Sequence, residues 1–345
     1  MRVLLTGADG FLGSNVVRGL LDRGYTVRGL IQPGRNTQTL ANLDVECVQG
    51  DILVSEDVIK AAKGCDAIIH AAANTSTWPA RSRLLRHVNI RGTRNVVAAA
   101  READVDRFVH VGSANSFGFG SRECPGNETL PYQGARYGID YFDTKHLAQS
   151  YVLQEAKRDG LPAVVVNPTF MIGPYDSKPC FGAMILAVYQ GRLPGYAVGG
   201  RNYIHVRDVV VGIVNALRKA RIGESYILGN QNLSYRAILD TIARTVGVRS
   251  PRYMLPPVLT QAWGSLGSLG GLITGRSPAL SLTLARLACE EHYYTAEKAV
   301  RELKLPQTPI EDAIQEAYAW LKDNLHLGKR VGRLRGVVFG RVRGA

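Results

Sequence analysis

The first thirteen residues already indicate the fold of this chain: Met1-Arg2-Val3-Leu4-Leu5-Thr6-Gly7-Ala8-Asp9-Gly10-Phe11-Leu12-Gly13. The stretch reads as a short apolar strand, a turn with three glycines and the start of a helix. Gly7 permits the tight turn, Gly10 lets a pyrophosphate approach the backbone, and Gly13 lets the helix pack closely on the strand. The N–H groups at the start of such a helix favour phosphate. The motif predicts a dinucleotide-binding turn with cofactor contacts at Gly7, Gly10, Phe11, Leu12 and Gly13.

Short apolar runs alternate with helical patterns through the first half of the chain. Such alternation is typical of βαβ units around a parallel sheet with helices on both faces. The sequence therefore predicts an α/β fold, a Rossmann-type doubly wound parallel sheet with a smaller, mostly helical C-terminal substrate lobe. The predicted strands span residues 3–5, 27–31, 45–48, 67–70, 108–111 and 164–166, and the predicted helices span 16–21 and 88–100.

The alternation breaks after residue 168, where a stretch rich in glycine and proline begins. Apolar residues at helical spacing predict two later helices, over 235–246 and 310–324. The predicted organisation is a dinucleotide-binding domain at 1–167 to which strands near 203–206 and 226–229 return, a substrate-binding lobe at 168–200 and 231–325, and a basic tail at 326–345.

The end of the second predicted strand reads Leu30-Ile31-Gln32-Pro33-Gly34-Arg35 and contains no acidic residue. A site selective for NAD normally places an Asp or Glu there to hold the ribose hydroxyls. Arg35 could instead contact a 2′-phosphate, or it could be a plain surface charge. We therefore favour NADP over NAD, with Gln32 and Arg35 beside the adenosine ribose. Asp51, after the third strand, could accept a hydrogen bond from the adenine amino group or serve as a helix N-cap.

Tyr141 and Lys145 lie four residues apart in a segment of helical character, so both project from one face. A phenol normally titrates too high to exchange protons at neutral pH, and a neighbouring ammonium favours the phenolate. Ser113 follows the buried run 108–111, at the edge of the sheet where ligands bind. We predict that Ser113, Tyr141 and Lys145 form a catalytic group in which the serine hydroxyl donates to a substrate carbonyl.

These motifs together resemble the extended short-chain dehydrogenases/reductases, a group that holds nucleotide-sugar epimerases, dihydroflavonol reductases and 3β-hydroxysteroid dehydrogenases. The resemblance spans roughly residues 1–325 and is closest to the dihydroflavonol-reductase-like branch, which includes the proteins labelled hopanoid-associated sugar epimerases. Gly112 departs from the family, which more often has a serine there, and the arginine often found at the position of Gln32 is absent. The matching stretches are 6–13, 50–51, 70–73, 89–93, Ser113, Tyr141 with Lys145, 167–169 and 205–208, and the branch likeness rests on 172–179, 226–230 and 293–299.

The resemblance implies roles for further residues. Asn89 would support the site, Lys145 would also bind the nicotinamide ribose, and Pro168 would flank the nicotinamide. Independently of the family, Asn89 and Asp208 could be a helix polar group and a helix cap. Further cofactor contacts are expected at Ile52, Ala71, Ala72, Ala73 and Thr169, and substrate contacts at Thr75, Ser113, Asn167 and Arg201.

Three functions fit this sequence. The leading one is an NAD(P)-dependent oxidoreductase that reduces a ketone, or oxidises the alcohol, of a hydrophobic and lipid-like small molecule. The second is a nucleotide-sugar epimerase or dehydratase with tightly bound NAD, in which Arg201 would meet the phosphate of a sugar nucleotide, unless it is an ordinary loop charge. The third is a non-catalytic dinucleotide sensor, which the Tyr141/Lys145 pair disfavours.

The formal net charge of +13 is partly local, because residues 327–345 carry six Lys and Arg and no acid. We do not expect nucleic acid as a partner, and we weigh peripheral membrane contact of this tail against a solvated terminus. Five scattered cysteines without a CxxC pair, and the lack of a visible secretory signal, favour a cytoplasmic protein without a disulfide or metal site. The family resemblance suggests a homodimer through the helix bearing Tyr141.

The stretch 258–274 is uncharged and rich in glycine and small residues. It is a marginal candidate for a membrane span, being slightly short and poor in helix formers. We favour a mobile apolar lid or an interfacial patch, which together with the tail 327–345 would place the protein at the inner face of a membrane.

Overall fold

The computed structural model describes residues 1–179 and 181–324. Eleven strands form within these residues, and all six strands predicted in the first half of the chain are confirmed. The strands are β1 (Arg2–Thr6), β2 (Thr26–Ile31), β3 (Val45–Gln49), β4 (Ala67–His70), β5 (Arg107–Val111), β6 (Ala163–Pro168), β7 (Phe170–Ile172), β8 (Gly200–His205), β9 (Ser225–Leu228), β10 (Gln231–Ser234) and β11 (Glu291–His292).

Seven of these strands form one sheet in the order β3-β2-β1-β4-β5-β6-β9, and every pairing in it is parallel. The chain starts at β1, moves outward to β3, and then crosses back to β4 on the other side of β1. This reversal opens a crevice at the carboxyl ends of β1 and β4, which is where ligands bind in such sheets. The predicted Rossmann-type architecture is confirmed.

The helices cover both faces of this sheet, as strands buried on both faces require. Val16, Leu20 and Ile213 are completely buried on one face, and Val58, Val96 and Val152 are completely buried on the other. The helices are α1 (Phe11–Leu21), α2 (Ser55–Ala62), α3 (Arg83–Arg86), α4 (Thr93–Glu102), α5 (Asp140–Asp159), α6 (Gly182–Tyr189), α7 (Val206–Lys219), α8 (Tyr235–Val246), α9 (Pro257–Thr274), α10 (Leu282–Ala288), α11 (Glu297–Leu303) and α12 (Ile310–Asn324).

A second, four-stranded sheet corrects one prediction. The strand predicted near 203–206 does not return to the parallel sheet: it forms β8, which pairs with β7, β10 and β11. The reason is packing, because Tyr203 is completely buried against the rings of Phe170 and Phe181 in the core of the lobe. The strand predicted near 226–229 does return, as β9 beside β6.

The smaller lobe packs α6, α8 and α12 around β8, with Ile185, Ile238 and Ile314 completely buried among them. The helices predicted at 235–246 and 310–324 are confirmed as α8 and α12. One segment inside the predicted lobe belongs elsewhere, because Ala299 and Leu303 of α11 are buried in the core beneath the parallel sheet. Sequence alternation could not reveal this, since α11 reaches that core from a distant part of the chain.

Two helical predictions need correction. The helix predicted at 88–100 begins with a π-helical segment, His87–Gly92, before α4 continues as a regular helix. The stretch 258–274, judged poor in helix formers, forms the helix α9, although it contains four glycines. Among the described residues, no helix is both long enough and apolar enough to cross a bilayer. The predicted tail at 326–345 lies outside the described residues.

Candidate active site

The glycine turn has the geometry that close approach of a ligand requires. Gly7 has φ +73°, a conformation that favours glycine, and a Cβ there would lie 2.8 Å from Cα of Ala72. A Cβ on Gly13 would lie 2.0 Å from the carbonyl oxygen of Gly7, so only glycine lets α1 pack against the turn. Gly10 is the N-cap residue of α1 and has no side chain that could cap the helix. The first N–H groups of α1, from Phe11 to Gly13, are therefore available to an anion.

These features fit a dinucleotide, because the open start of α1 lies at the crevice between β1 and β4. The predicted cofactor residues Ala71, Ala72 and Ala73 follow β4 directly and are half-buried beside the glycine turn. Pro168 ends β6 at the same edge of the sheet. When bound there, a nicotinamide dinucleotide would supply the hydride acceptor or donor.

A chain of buried hydrogen bonds begins below the turn at Thr6. Its hydroxyl accepts from the backbone N–H of Ala72 at 3.1 Å and lies 2.8 Å from Nδ1 of His70. On the other side of the ring, Nε2 of His70 lies 3.0 Å from the hydroxyl of Thr93, which itself donates to the carbonyl of Asn89 at 2.7 Å. Every donor then has an acceptor if His70 carries its proton on Nε2.

His70 is neutral within this chain of hydrogen bonds. Burial, together with the positive charge of Lys145, lowers the pKa of His70 to about 3. A neutral ring can donate from one nitrogen and accept at the other, which the hydroxyls of Thr6 and Thr93 both require.

Asn89 extends the chain to the catalytic helix. Its side chain accepts from the backbone N–H of Asn74 at 2.8 Å and donates to the carbonyl of the same residue at 3.0 Å. It also donates to the hydroxyl of Thr144 at 3.0 Å, and Thr144 donates to the carbonyl of Tyr141 at 3.2 Å. Asn89 lies in the π-helical segment, a feature frequent at functional sites. The geometry agrees with the supporting role that the family resemblance implies.

Helix α5 carries Tyr141 and Lys145 one turn apart, as predicted. The Lys145 side chain is buried and its Nζ donates to the carbonyl of Val111 at 2.8 Å. Burial lowers the pKa of Lys145 to about 8, because the charged ammonium is removed from water. Val111 is the last residue of β5, so this bond places the helix over the end of that strand.

Ser113 lies two residues beyond Val111 and is buried. Its backbone N–H donates to Oδ1 of Asn167 at 3.0 Å, and its hydroxyl accepts from the N–H of Asn115 at 3.3 Å. The hydroxyl proton is thus left to donate to another group. A Cβ on Gly112 would lie 2.2 Å from Oδ1 of Asn167, which explains how glycine accommodates this amide.

The substrate contact predicted at Asn167 stays a prediction. Its side chain is completely buried and its Oδ1 accepts from the backbone N–H of Ser113, so it also positions the serine. Thr75, by contrast, is exposed just beyond Asn74 at the same edge of the sheet. Thr169 donates to the side chain of Asn202 at 2.7 Å and is half-buried directly after Pro168.

Arg201 lies in strand β8, so its alternative reading as an ordinary loop charge is wrong. Its Nε donates to the hydroxyl of Tyr235 at 2.7 Å, and its guanidinium lies 5.4 Å from the centre of the Phe170 ring. The residue is therefore engaged inside the lobe. The alternative reading of Asp208 as a helix cap is also wrong, because its carboxylate accepts from the N–H and hydroxyl of Thr308 while His205 caps α7.

The residues predicted near the adenosine form one small network. Arg35 donates to the side chain of Gln32 at 3.1 Å, and Gln32 donates to the carboxylate of Asp51 at 2.9 Å. Asp51 is not the N-cap of α2, which is Val54, and instead accepts from the N–H of Leu53. Ile52 is buried beside it, where a Cβ on Gly92 would lie 2.6 Å from its Cδ1.

Asp140 was missed by the sequence reasoning. It is buried at the start of α5, where its carboxylate accepts from Arg81, Arg86 and the backbone N–H of Ser82 at 2.7–2.8 Å. These bonds hold the pKa of Asp140 well below its usual range, with the Arg86 contact as the largest cause. Asp140 thereby anchors the residue immediately before Tyr141. The only signal in the sequence is an acid at a helix start downstream of the basic segment 81–86.

An apolar and aromatic cluster surrounds Tyr141. The buried side chains of Ile139, Phe142 and Leu287 form its centre, and Tyr141 and Leu284 pack against them. Two residues of the cluster come from α10, a helix that no motif connected with the site. Tyr132 and Tyr137 complete this cluster.

The described residues contain no group of three or more His, Cys, Asp or Glu side chains that could hold a metal ion. Four cysteines in the same part of the chain, Cys47, Cys65, Cys124 and Cys289, are free thiols.

Residues 3–229 match the model of the NAD dependent epimerase/dehydratase family. The chain is 34% identical over 327 residues to a putative dihydroflavonol 4-reductase of Synechocystis, covering 93% of this chain and 94% of the relative. It is 32% identical over 326 residues to sterol demethylase protein B of Methylococcus capsulatus, covering 94% and 99%. The crystal structure of gox2253 matches with a TM-score of 0.82 and 32% identity, over 93% of this chain and 98% of that one.

The family match covers more than half of the chain, and the relatives align over nearly all of it. The predicted resemblance is thus confirmed at the level of the family. The chain belongs to the NAD dependent epimerase/dehydratase family within the extended short-chain dehydrogenases/reductases, and it is an oxidoreductase of that type.

Proposed function

We propose that this enzyme reduces the ketone of a hydrophobic, lipid-like small molecule, or oxidises the corresponding alcohol, with Tyr141 as the proton donor. The observation that carries the proposal is the cluster around Tyr141. A carbonyl oxygen that accepts a proton from the Tyr141 hydroxyl must come within hydrogen-bond distance of it, so the rest of the substrate lies beside Phe142, Leu284 and their neighbours. Such a surface favours an apolar substrate over a sugar phosphate.

The protein's own residues divide the proton chemistry among them. The Ser113 hydroxyl donates a hydrogen bond to the substrate oxygen, and Tyr141 transfers its proton to that oxygen as the alcohol forms. The Lys145 ammonium favours the phenolate that remains. Asn167 and Asp140 act through others, because they fix the backbone of Ser113 and the start of α5.

Two further observations support an apolar substrate. Arg201, the residue that would meet the phosphate of a sugar nucleotide, is bound to Tyr235 and lies against Phe170. One relative aligned along nearly its whole length is named a sterol demethylase protein, which is consistent with a substrate of lipid character. The second candidate function is a nucleotide-sugar epimerase or dehydratase with tightly bound NAD.

We further propose NADP as the preferred cofactor. The end of β2 has no acidic side chain, and Gln32 and Asp51 orient Arg35 through two hydrogen bonds. A guanidinium at that place can bind the 2′-phosphate that distinguishes NADP from NAD.

We also propose a homodimer through α5, because Leu147 on this helix is 48% exposed. The mass of the purified protein by light scattering tests the proposal. A Leu147→Asp variant should be monomeric, whereas a monomeric wild-type protein would contradict it.

The test of the function is cofactor turnover by the purified enzyme, followed by absorbance with NADPH and NADH in turn. The substrates are hydrophobic β-keto compounds and a set of sugar nucleotides. Net oxidation of the reduced cofactor in the presence of a hydrophobic ketone, abolished in Tyr141→Phe, would support the reductase. Interconversion of a sugar nucleotide without net oxidation of cofactor would establish the epimerase or dehydratase. A biological role that persists in Tyr141→Phe would point to a dinucleotide sensor.

A further inference from the structure

Helix α9 is amphipathic, but the pattern of buried and exposed residues is the reverse of the usual one. Its buried residues are small or polar, namely Thr260, Gly264 and Gly271. Its large apolar residues face solvent, and the exposed fractions of Val258, Leu266 and Ile273 reach 72–77%. A helix that packs on a protein core normally buries its large apolar side chains and exposes its polar ones. The other exposed apolar side chains of this helix are Leu259, Trp263, Leu269 and Leu272.

Close packing against α10 fixes this orientation. A Cβ on Gly264 would lie 2.5 Å from Cβ of Ala285, and a Cβ on Gly267 would lie 2.2 Å from the carbonyl oxygen of Leu280. Gly264 and Gly267 therefore have to face the protein, and rotation of the helix to bury its leucines would create clashes. The exposed apolar residues form one continuous face, because at 100° per residue they occupy about half of the helix circumference. Exposed apolar surface of this extent on a folded protein marks an interaction site.

Charge decides what covers the apolar face. Between Asp240 and Glu290 the chain contains five arginines and no Asp, Glu or Lys. Arg236, Arg249 and Arg252 line one surface depression together with Asp240, which pairs with Arg236, so Arg249 and Arg252 supply its excess positive charge shortly before α9 begins. Tyr253, next to Arg252, is 74% exposed. A second copy of the chain would bring arginines against arginines, whereas anionic headgroups would neutralise them.

We infer that α9 docks on an anionic lipid bilayer and lies in its interface. The apolar face enters the boundary between headgroups and acyl chains, and the arginines flanking it, with Arg276 at the far end, contact the headgroup phosphates. The exposed Trp263 and Tyr253 suit the same depth, since aromatic rings with a polar group favour the interface. The helix lies on the bilayer, because its glycine face stays packed on α10.

Docking by α9 would also bring the catalytic group close to the lipid. Helix α10 lies between α9 and Tyr141: Ala285 faces Gly264, and Leu284 and Leu287 belong to the cluster around Tyr141. A lipid-like substrate could therefore pass from the bilayer to the site without crossing water. This consequence rests on the proposed function, whereas the docking itself does not.

The test is sedimentation of the full-length protein with vesicles, which needs no substrate. Wild-type protein should sediment with vesicles of phosphatidylglycerol and phosphatidylcholine, and less with phosphatidylcholine alone. Replacing two exposed residues, Leu266→Gln with Ile273→Gln, should weaken the binding by about tenfold or more, because less apolar surface enters the lipid. Arg249→Gln with Arg252→Gln should weaken binding to the anionic vesicles only.

The matched control removes exposed apolar residues elsewhere, as Ile222→Gln with Val300→Gln. Equal far-ultraviolet circular dichroism and thermal midpoints confirm folding of every variant. The tail 326–345 is identical in all of them, so it cannot cause a difference between the α9 variant and the control.

Binding by the α9 variant equal to that of the control would overturn the inference. So would wild-type protein that stays in the supernatant, or an α9 variant that changes from dimer to monomer by light scattering, which would make the face an interface between copies. Turnover of a water-soluble ketone is measured with the α9 variant as well. Activity retained there shows that a failure of membrane docking is not a failure of the proposed function.

Discussion

The Nζ atom of Lys145 donates to the carbonyl oxygen of Val111 at 2.8 Å, and this bond joins the two elements that carry the catalytic group. Tyr141 lies one turn before Lys145 on α5, and Ser113 lies two residues after Val111 beyond β5. The lysine therefore has a positional role besides its charge. Its burial removes the ammonium from water, which explains why its pKa is lowered to about 8.

Replacement of the proton donor, Tyr141→Phe, should lower kcat by about 10²–10⁴-fold while leaving cofactor affinity nearly unchanged. The phenyl ring keeps its packing against Phe142 and loses only the hydroxyl. Steady-state kinetics and cofactor titration by fluorescence measure the two effects. Tyr151→Phe, on the same helix, is the control, and equal losses in both variants would remove Tyr141 from the mechanism.

Lys145→Met should abolish activity and yet have a higher thermal midpoint than wild type at pH 7, with a smaller advantage at pH 10. The folded pKa of about 8 lies below the ordinary 10.5, so the unfolded wild-type chain binds more protons between these values. Wild-type stability therefore rises with pH through this window, and below pH 8 the charged lysine carries its full penalty. The difference between Lys145→Met and wild type should shrink from pH 8 to 10.5.

Differential scanning calorimetry across this range measures the effect. Lys157→Met, an exposed residue of α5, should show no such trend. A difference between Lys145→Met and wild type that does not vary with pH would contradict the depressed pKa.

Asp140→Asn should destabilise the protein by about 2 kcal/mol, because a buried carboxylate loses charge-assisted bonds to Arg81 and Arg86. The folded pKa of Asp140 is depressed, so its contribution is fully present above the ordinary value of 3.8 and is lost progressively as the pH falls from there through the lower folded value. Urea unfolding should show the full difference from wild type at pH 7 and a smaller but still clear difference at pH 3, because the folded carboxyl is still ionised there. Asp159→Asn, an exposed partner of Arg101 on α5, should show little at either pH.

Thr93→Val should raise the cofactor KM more than it lowers kcat, because it breaks the chain between Thr6 and Asn89. The substitution keeps the shape of the side chain but leaves the Nε2–H of His70 without its acceptor, at a cost of about 1–3 kcal/mol. Thr93→Ser, which restores the hydroxyl, should recover both stability and cofactor KM. If valine and serine behave alike, the hydrogen-bond chain has no role in cofactor binding.

Arg35→Ala should raise the KM for NADPH by about tenfold and leave that for NADH unchanged, since only the 2′-phosphate would contact the guanidinium. Higher salt should narrow the difference between wild type and variant. Arg158→Ala, another exposed arginine, is the control. An equal effect on both cofactors would contradict the proposed preference for NADP.

The parallel sheet and the glycine turn were predictable because local residues decide them. Apolar runs bounded by turns define strands such as residues 67–70, and the Tyr141/Lys145 spacing needs only one helix. The second sheet was not predictable, because the strand of Tyr203 is held in it by contacts with Phe170 and Phe181. These two residues lie more than twenty positions away along the chain.

Other parts of the site escaped prediction for the same reason. Asp140 acquires its meaning from Arg81 and Arg86, more than 50 residues away, and α10 reaches Tyr141 only through the fold of the lobe. Helix α9 was not predicted because its glycines lower helix propensity, whereas packing against α10 and the residues before it requires Gly264 and Gly267.

In the proposed reaction, hydride passes from the cofactor to a hydrophobic ketone and remains in the product. The most direct test is mass spectrometry of the product formed with NADPH deuterated at C4 of the nicotinamide. We expect one deuterium on the carbinol carbon of a hydrophobic alcohol, in an amount equal to the cofactor oxidised and absent with Tyr141→Phe. The proposed reaction would be contradicted if the hydrophobic ketone acquires no deuterium while a sugar nucleotide is epimerised without consumption of cofactor.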